Sequence, residues 1–186
     1  GVFQAPCILI CQNNHWAISV PTARQTASQT LAVKGRAYGV PSIRVDGNDA
    51  LAVYGAVATA AERARKGGGP SFIEALTYRI GAHSTSDDPT RYRDEAEVEA
   101  WRKKDPLDRL RKHLVVLGLV DDASDAALEA ELTAQINAAV KEVEELPPPD
   151  RETLFDDVYA ELTPQLKEQR DYLRNSPRAK PLHGGH

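Results

Sequence analysis

The sequence has little cysteine, no long apolar run and no surplus of positive charge, and each shortage excludes a class of function. Cys7 and Cys11 are the only cysteines in 186 residues. Both would fall on one strand with their side chains on the same face, with nothing metal-like around them. They are therefore expected to be buried, reduced thiols, as in a cytosolic protein, where disulfides are rare. The five histidines are scattered and neither cysteine is in a ligand pair of the usual spacing, so a zinc site is not expected. No apolar stretch approaches the roughly 20 residues of a membrane span. The opening GVFQAP lacks the basic start, apolar stretch and small-residue cleavage site of a signal peptide, so no targeting segment is read in these residues. A net charge of -4 is the wrong sign for a phosphate-backbone partner, and no nucleic acid is expected. GxGxxG and GxxxxGKS/T are both missing, and the glycines at 67–69 end a helix rather than opening one, which excludes a nucleotide-binding α/β domain.

What is present is an alternation of strand and helix signals. Hydrophobic residues at 41% and charged ones at 27% fit a folded globular chain. Cys7 to Cys11 is a short continuous apolar run after Pro6, suiting a strand covered on both faces. Residues 30–38 suggest a short helix ended by Gly39 and Pro41, and 42–45 a second strand closed by Asp46, Gly47 and Asn48. Asp49 can cap a helix over 50–66, with Leu51, Tyr54, Val57, Ala58, Ala61 and Ala64 on its buried face. Residues 71–78 read as a third strand. This βαβαβ order predicts a parallel sheet with right-handed crossovers. GAHSTSDDPTRY, residues 81–92, has no periodicity and is expected to be an exposed loop. Helices are expected over 95–101, 106–117 with Asp105 as cap, 124–146 stopped by three prolines, and 164–173, with a docking segment at 155–159 and a loose tail to His186. The expected organisation is a partial α/β domain over 1–93, with loop 81–93 at its active site, and a helical extension over 94–186 that packs on it or on a partner. The chain begins only a few residues before its first strand, and that strand should have neighbours on both sides. Further residues upstream, or a partner chain, are therefore expected.

In open parallel sheets ligands bind beyond the carboxyl ends of strands, and Asn13 and Asn14 lie at such an end. An asparagine amide oxygen is a neutral hard donor suited to Mg²⁺, which prefers six oxygens and usually bridges a phosphate group. A bend after Asn14 could aim a backbone carbonyl such as that of Trp16 at the same ion. Two adjacent asparagines also make an ordinary turn, and spacing alone favours that reading.

The surrounding residues point further. CQNNHWAISVPT resembles the end of the thiamine-diphosphate motif, which opens with GDG at one strand end and closes with NN at the next. Together with GVPSIRVDGND, PSFIEALTYRIGAHSTSDDPTRYR, WRKKDPLDRLRKHL and LFDDVYAEL, it resembles the C-terminal half of the alpha subunit of a 2-oxo acid dehydrogenase, the decarboxylating component of the multienzyme complex. The runs STSDD and IRVDGNDALAVY look closer to the branched-chain enzymes than to those acting on pyruvate.

The resemblance implies a thiamine-diphosphate-binding type of sheet and a set of site residues. Asn14 through its side chain and Trp16 through its carbonyl would bind Mg²⁺, Gln12 would face the diphosphate, and Asn13 would hold the turn. Gln12 can donate hydrogen bonds but brings no charge. His83 matches the loop histidine beside the cofactor that assists acyl transfer to a lipoyl arm; a lone loop histidine would otherwise read as solvated. Ser84 matches a serine that is phosphorylated in animal relatives, where about two added negative charges block the loop. A second such serine is replaced here by Asp94. Arg79, Asp87, Tyr92 and Arg93 match residues that tie the loop down and help a lipoyl domain dock, although ordinary surface salt bridges would use the same residue types.

The implied reaction is oxidative decarboxylation of a 2-oxo acid with transfer of the acyl group to lipoamide. Thiamine diphosphate and Mg²⁺ are the implied cofactors. A beta subunit in an α₂β₂ heterotetramer would supply the activating glutamate, and the lipoyl domain of the transacylase component would be the second partner. Alone, the 186 residues are expected neither to bind the cofactor tightly nor to turn over. The expected location is the cytoplasm, or the mitochondrial matrix if the source is eukaryotic. The competing readings are a pyruvate or acetoin dehydrogenase alpha subunit and a non-catalytic interaction module derived from the family.

Overall fold

The computed structural model describes residues 1–177; the expected loose tail lies almost wholly outside them. The described residues form two compact units that divide between Asp125 and Ala126.

The first unit is built on a three-stranded parallel sheet. Its strands are β1 (Ile8–Asn13), β4 (Ser42–Asp46) and β5 (Ser71–Leu76), in the spatial order β1-β5-β4. The expected parallel α/β sheet is therefore present. Cys11 of β1 and Arg44 of β4 both pair with Glu74 at the middle of β5. The central strand β5 buries four of its six side chains, Ser71, Ile73, Glu74 and Ala75, with Ile73 only 1% exposed. The strand covered on both faces is thus β5 and not, as expected, the run at Cys7–Cys11. β1 is an edge strand with one neighbour, which leaves Leu9 51% and Ile10 55% exposed. The cysteines follow from this position: Cys7 is exposed and Cys11 half-buried, against the expectation that both are buried.

Between the strands run α1 (Val33–Arg36), shorter than the expected helix, and α2 (Ala50–Arg65). Asp49 caps α2 as expected, its carboxylate accepting from the amides of Leu51 and Ala52 at 3.0 Å. The helix ends where Gly67, at φ +75°, takes the left-handed conformation that costs glycine least. Its packed face agrees with the expected one in part. Ala60 is buried and Ala52, Val53, Ala56, Val57, Ala61 and Ala64 are half-buried, whereas Leu51, Ala58 and the 74% exposed Tyr54, also expected on that face, are exposed. Alanines let the helix lie close to the sheet, so the small residues rather than the large ones choose the face. The turn from β4 into α2 needs glycine at 47, because a Cβ there would lie 2.7 Å from the Leu76 carbonyl oxygen.

After β5 the chain has no regular structure until a single 3₁₀ turn at Pro89–Arg91, in keeping with the expected loop. Two helices follow, α3 (Glu95–Arg102) and α4 (Pro106–Val116), capped by Asp94 and Asp105. They hold to the sheet region through polar links. Asn48 Nδ2 donates to the Lys104 carbonyl at 2.9 Å, and Arg109 reaches Asp46 at 2.8 Å and Asp49 at 3.4 Å. Two short antiparallel strands, β2 (Trp16–Ala17) and β3 (Val20–Pro21), form a separate hairpin just after β1.

The helix α5 (Asp122–Glu144) begins in the first unit and continues through the second, which also contains α6 (Thr153–Asp156) and α7 (Pro164–Asn175). The expected docking segment at 155–159 is helical only in its first two residues. Arg174 forms an ion pair with Glu152, which joins α7 to the start of α6.

Candidate functional site

The site begins where β1 ends. Asn13 is the last residue of the strand, and its carbonyl accepts from the Thr77 amide at 2.9 Å. The Asn14 carbonyl accepts from the Arg79 amide at 3.2 Å, so the turn stays stitched to the segment leaving β5. Both side-chain oxygens fold onto the backbone two residues ahead: Asn13 Oδ1 accepts from the His15 amide and Asn14 Oδ1 from the Trp16 amide, each at 3.1 Å. His15 and Ile18 take left-handed backbone conformations, at φ +70° and +54°, which are unfavourable for side chains of this size. Thr22 helps to hold them, its amide and hydroxyl meeting the His15 carbonyl at 2.8 and 3.0 Å.

The turn opens on a cavity of about 260 Å³ whose lining includes Gln12, Asn13, Asn14, Trp16, Thr22 and Lys34. Its donor set fits a hard cation that brings anionic ligands with it. Asn14 Oδ1 accepts one amide, and an amide oxygen has a second lone pair to give. Trp16, opposite Pro21 in the β2–β3 hairpin, lines the same cavity, and its backbone carbonyl is a second neutral oxygen donor. Among the described residues no group of three or more His, Cys, Asp or Glu side chains could hold a metal. A cation at this turn would therefore rest on neutral oxygens and take its negative charge from a phosphate, as Mg²⁺ does. Lys34 supplies the positive charge in the lining that Gln12 lacks.

Two buried polar residues that anchor this end of the sheet were missed by the sequence reading. Glu74, 1% exposed, accepts from Asn13 Nδ2 and from the Ala32 amide, both at 2.8 Å. Asn48, also buried, accepts from the Thr77 hydroxyl at 2.6 Å. A lone acidic residue inside an apolar strand, as in SFIEAL, was the available signal for Glu74.

An aromatic cluster joins the turn to the loop and to α3. His15 Nδ1 lies 2.7 Å from the Thr77 carbonyl, an acceptor only, so this nitrogen carries the proton. The His15 ring centroid is 5.1 Å from that of Trp101, and Tyr78 stacks on Trp101 at 5.3 Å. Trp16 and Tyr92 pack at 5.4 Å. Burial pushes the Tyr78 phenol pKa upward. The Trp16 indole N–H and the Tyr78 hydroxyl are buried with no partner within hydrogen-bond geometry among the described residues.

The loop is held by a chain of charged and hydroxyl groups. Arg79 donates to the Ile18 carbonyl at 2.7 Å and to the Tyr92 hydroxyl at 3.1 Å. Tyr92 in turn donates to Asp87 Oδ2 at 2.6 Å, and the same oxygen accepts from the His83 amide at 2.8 Å. Arg93 spans the base of the loop, donating to the carbonyls of Arg79 and Ile80. The Tyr92 hydroxyl bond, and then the His83 amide, hold the Asp87 carboxyl below its ordinary range; the same bond raises the Tyr92 phenol. Ser84 is exposed, its hydroxyl 3.3 Å from that of Ser86.

Gln12, Asn14 and Trp16 thus share one cavity, and Arg79, Asp87, Tyr92 and Arg93 share one network. His83 and Ser84 do not line that cavity. The imidazole of His83 takes part in no hydrogen bond among the described residues; only its backbone is tied, through Asp87.

Residues 1–152 match the family described as the dehydrogenase E1 component. The chain belongs to the dehydrogenase E1 component family. It is 48% identical over 178 residues to the 3-methyl-2-oxobutanoate dehydrogenase subunit alpha of Mycobacterium tuberculosis, covering 94% of this chain and 47% of that protein. It is also 48% identical over 169 residues to the pyruvate dehydrogenase E1 component subunit alpha of Acholeplasma laidlawii, covering 90% of this chain and 49% of that one. Against the human mitochondrial 2-oxoisovalerate dehydrogenase subunit alpha the identity is 43% over 174 residues, covering 93% and 39%. The chain spans about half the length of these E1 relatives, or less.

Proposed function

We propose that this chain forms part of the alpha subunit of a 2-oxo acid dehydrogenase that decarboxylates a branched-chain 2-oxo acid and passes the acyl group to lipoamide. The observation that carries the reading is the asparagine turn: Asn14 and Trp16, each with a neutral oxygen to offer, line one polar cavity in a chain of the E1 family. Asn14 Oδ1 and the Trp16 carbonyl would hold Mg²⁺, while Gln12 and Lys34 would contact the diphosphate of thiamine diphosphate. Asn13 shapes the turn and does not touch the ion. When bound, thiamine diphosphate supplies the electron sink that decarboxylation of a 2-oxo acid requires.

The remaining work falls to the loop. His83 moves a proton during acyl transfer to the lipoyl arm. Arg79, Asp87, Tyr92 and Arg93 keep the loop in one shape, so that His83 is presented to the cofactor and the loop surface to a lipoyl domain. Ser84, exposed beside His83, is where an added phosphate would block that approach. A beta subunit completes the site and supplies the activating glutamate, and the acidic half of the metal-binding motif lies outside these residues.

A second substrate reading has its own support, because a relative acting on pyruvate by name is 48% identical, the same figure as the 3-methyl-2-oxobutanoate one. Steady-state kinetics of the assembled enzyme decides between them. The branched-chain reading predicts a higher kcat/KM for 3-methyl-2-oxobutanoate than for pyruvate, and the reverse order would replace it. Calorimetry on the 186 residues alone tests the dependence on partners: no tight cofactor binding is expected, and micromolar affinity without any partner would contradict it.

A further inference from the structure

We infer that Glu74 is a positioning residue for the metal-binding turn: its buried carboxylate fixes the Asn13 amide, and through it the bend that presents Asn14 Oδ1 and the Trp16 carbonyl to a divalent cation. The inference rests on the metal-binding role proposed above for Asn14 and Trp16. Glu74 occupies the centre of β5, the most buried strand, where an apolar side chain would serve packing alone. A carboxylate is costly there unless it is hydrogen-bonded, and both of its oxygens are: Oε1 by Asn13 Nδ2 and Oε2 by the Ala32 amide. Among the described residues Arg44 forms its ion pair, at 4.0 Å and beyond direct hydrogen-bond length.

The direction of the Asn13 amide follows from its partners. Glu74 Oε1 takes the NH₂ end of Asn13, which turns Oδ1 away from the carboxyl group. That oxygen then meets the His15 amide at 3.1 Å, with the Thr22 hydroxyl at 3.3 Å. His15 takes a left-handed conformation, at φ +70°. The next amide along, that of Trp16, closes on Asn14 Oδ1. One buried carboxylate therefore sets an amide, the amide sets a strained bend, and the bend aims both proposed ligand oxygens. The second oxygen of Glu74, bonded to Ala32 ahead of α1, ties that bend to the segment carrying Lys34, which lines the same cavity.

The test uses the assembled enzyme containing this chain and reads Mg²⁺ affinity by calorimetry at saturating thiamine diphosphate, beside the thermal midpoint. Glu74→Gln, Asn13→Ala, their double variant and Asn14→Ala are compared. Partners that orient metal ligands typically cost about 10–100-fold in affinity when removed, and a loss near the lower end, about tenfold, is expected for Glu74→Gln and for Asn13→Ala. The double variant should bind Mg²⁺ no more weakly than the worse single one, because the two act along one path. Additive losses, or a lowered midpoint with Mg²⁺ affinity unchanged, would overturn the inference and leave Glu74 as a link within the sheet. If Asn14→Ala alone weakens Mg²⁺ binding, the metal site stands and only the role of Glu74 falls; if Asn14→Ala leaves affinity intact, the site itself falls. Should Glu74→Gln fail to assemble, Asn13→Asp sets a second carboxylate against Glu74. Weaker Mg²⁺ binding is expected there, and unchanged affinity overturns the inference.

Discussion

The turn at residues 13–22 and the loop at 81–93 carry the two halves of the proposed chemistry, and they are held in opposite ways. The turn is bonded into the centre of the sheet. Its amides and carbonyls engage Glu74, Thr77 and Arg79, and Glu74 is buried. The loop is held by charged and hydroxyl side chains near water, with a single carboxylate, Asp87, receiving both the Tyr92 hydroxyl and the His83 amide. Binding a cation on neutral oxygens requires oxygens that do not move. Presenting a histidine to a visiting lipoyl arm requires a segment that can yield, and weakly buried segments open locally at low cost. On the proposed function, the difference matches cofactor retention to the turn and acyl transfer to the loop.

That division can be broken most sharply at His83. In the assembled enzyme, His83→Ala should lower the rate of acyl transfer to lipoamide by about 10²–10⁴-fold, the usual span for a general acid–base group, while Mg²⁺ and thiamine diphosphate bind as before. Near-normal transfer would remove His83 from the mechanism. Asn14→Ala should act on the other half. Its loss of Mg²⁺-dependent cofactor affinity should reach at least the ~10–100-fold seen when outer partners of a metal are removed, and titration calorimetry would read it. If instead it slowed transfer with affinity intact, turn and loop would not divide the work.

Smaller effects sharpen the contrast. Tyr92→Phe removes the hydroxyl that links Arg79 to Asp87, and limited proteolysis should cut within 81–93 a few times faster while the turn stays protected. Equal exposure of both would deny the difference in anchoring. Acid should have a similar and weaker effect. Asp87 has a lowered pKa in the folded chain, so its contribution to loop order is complete above the ordinary aspartate range and fades as pH falls through the lowered value. Loop amide exchange measured down the pH scale should therefore stay slow through the ordinary aspartate range and accelerate only below it. In Tyr92→Phe the acceleration should begin at higher pH. No displacement between the two curves would show that Tyr92 does not set the Asp87 titration.

Much of this fold follows from local signals. Asp49, Asp94 and Asp105 cap the helices that follow them, and Gly67 ends α2, because each acts within a few residues of itself. The packed face of α2 is legible only in part: Val57, Ala61 and Ala64 lie on it as expected, but three- and four-residue spacing fits Leu51 and Tyr54 as well as Val53 and Ala56, and only packing against the sheet chooses. The edge position of β1 is not legible, because apolar composition does not reveal an edge. The site divides likewise. Asn13, Asn14 and the loop residues are visible as a run of letters, whereas Glu74 and Asn48 act on partners 61 and 29 residues away. Hydrogen bonds of that span leave no periodic trace in the sequence.

The most direct test of the account is anomalous diffraction from crystals of the assembled enzyme grown with Mn²⁺ and thiamine diphosphate. The account predicts a metal peak in contact with Asn14 Oδ1 and the Trp16 carbonyl oxygen. A peak bound elsewhere, with both oxygens facing only water or protein, would contradict it.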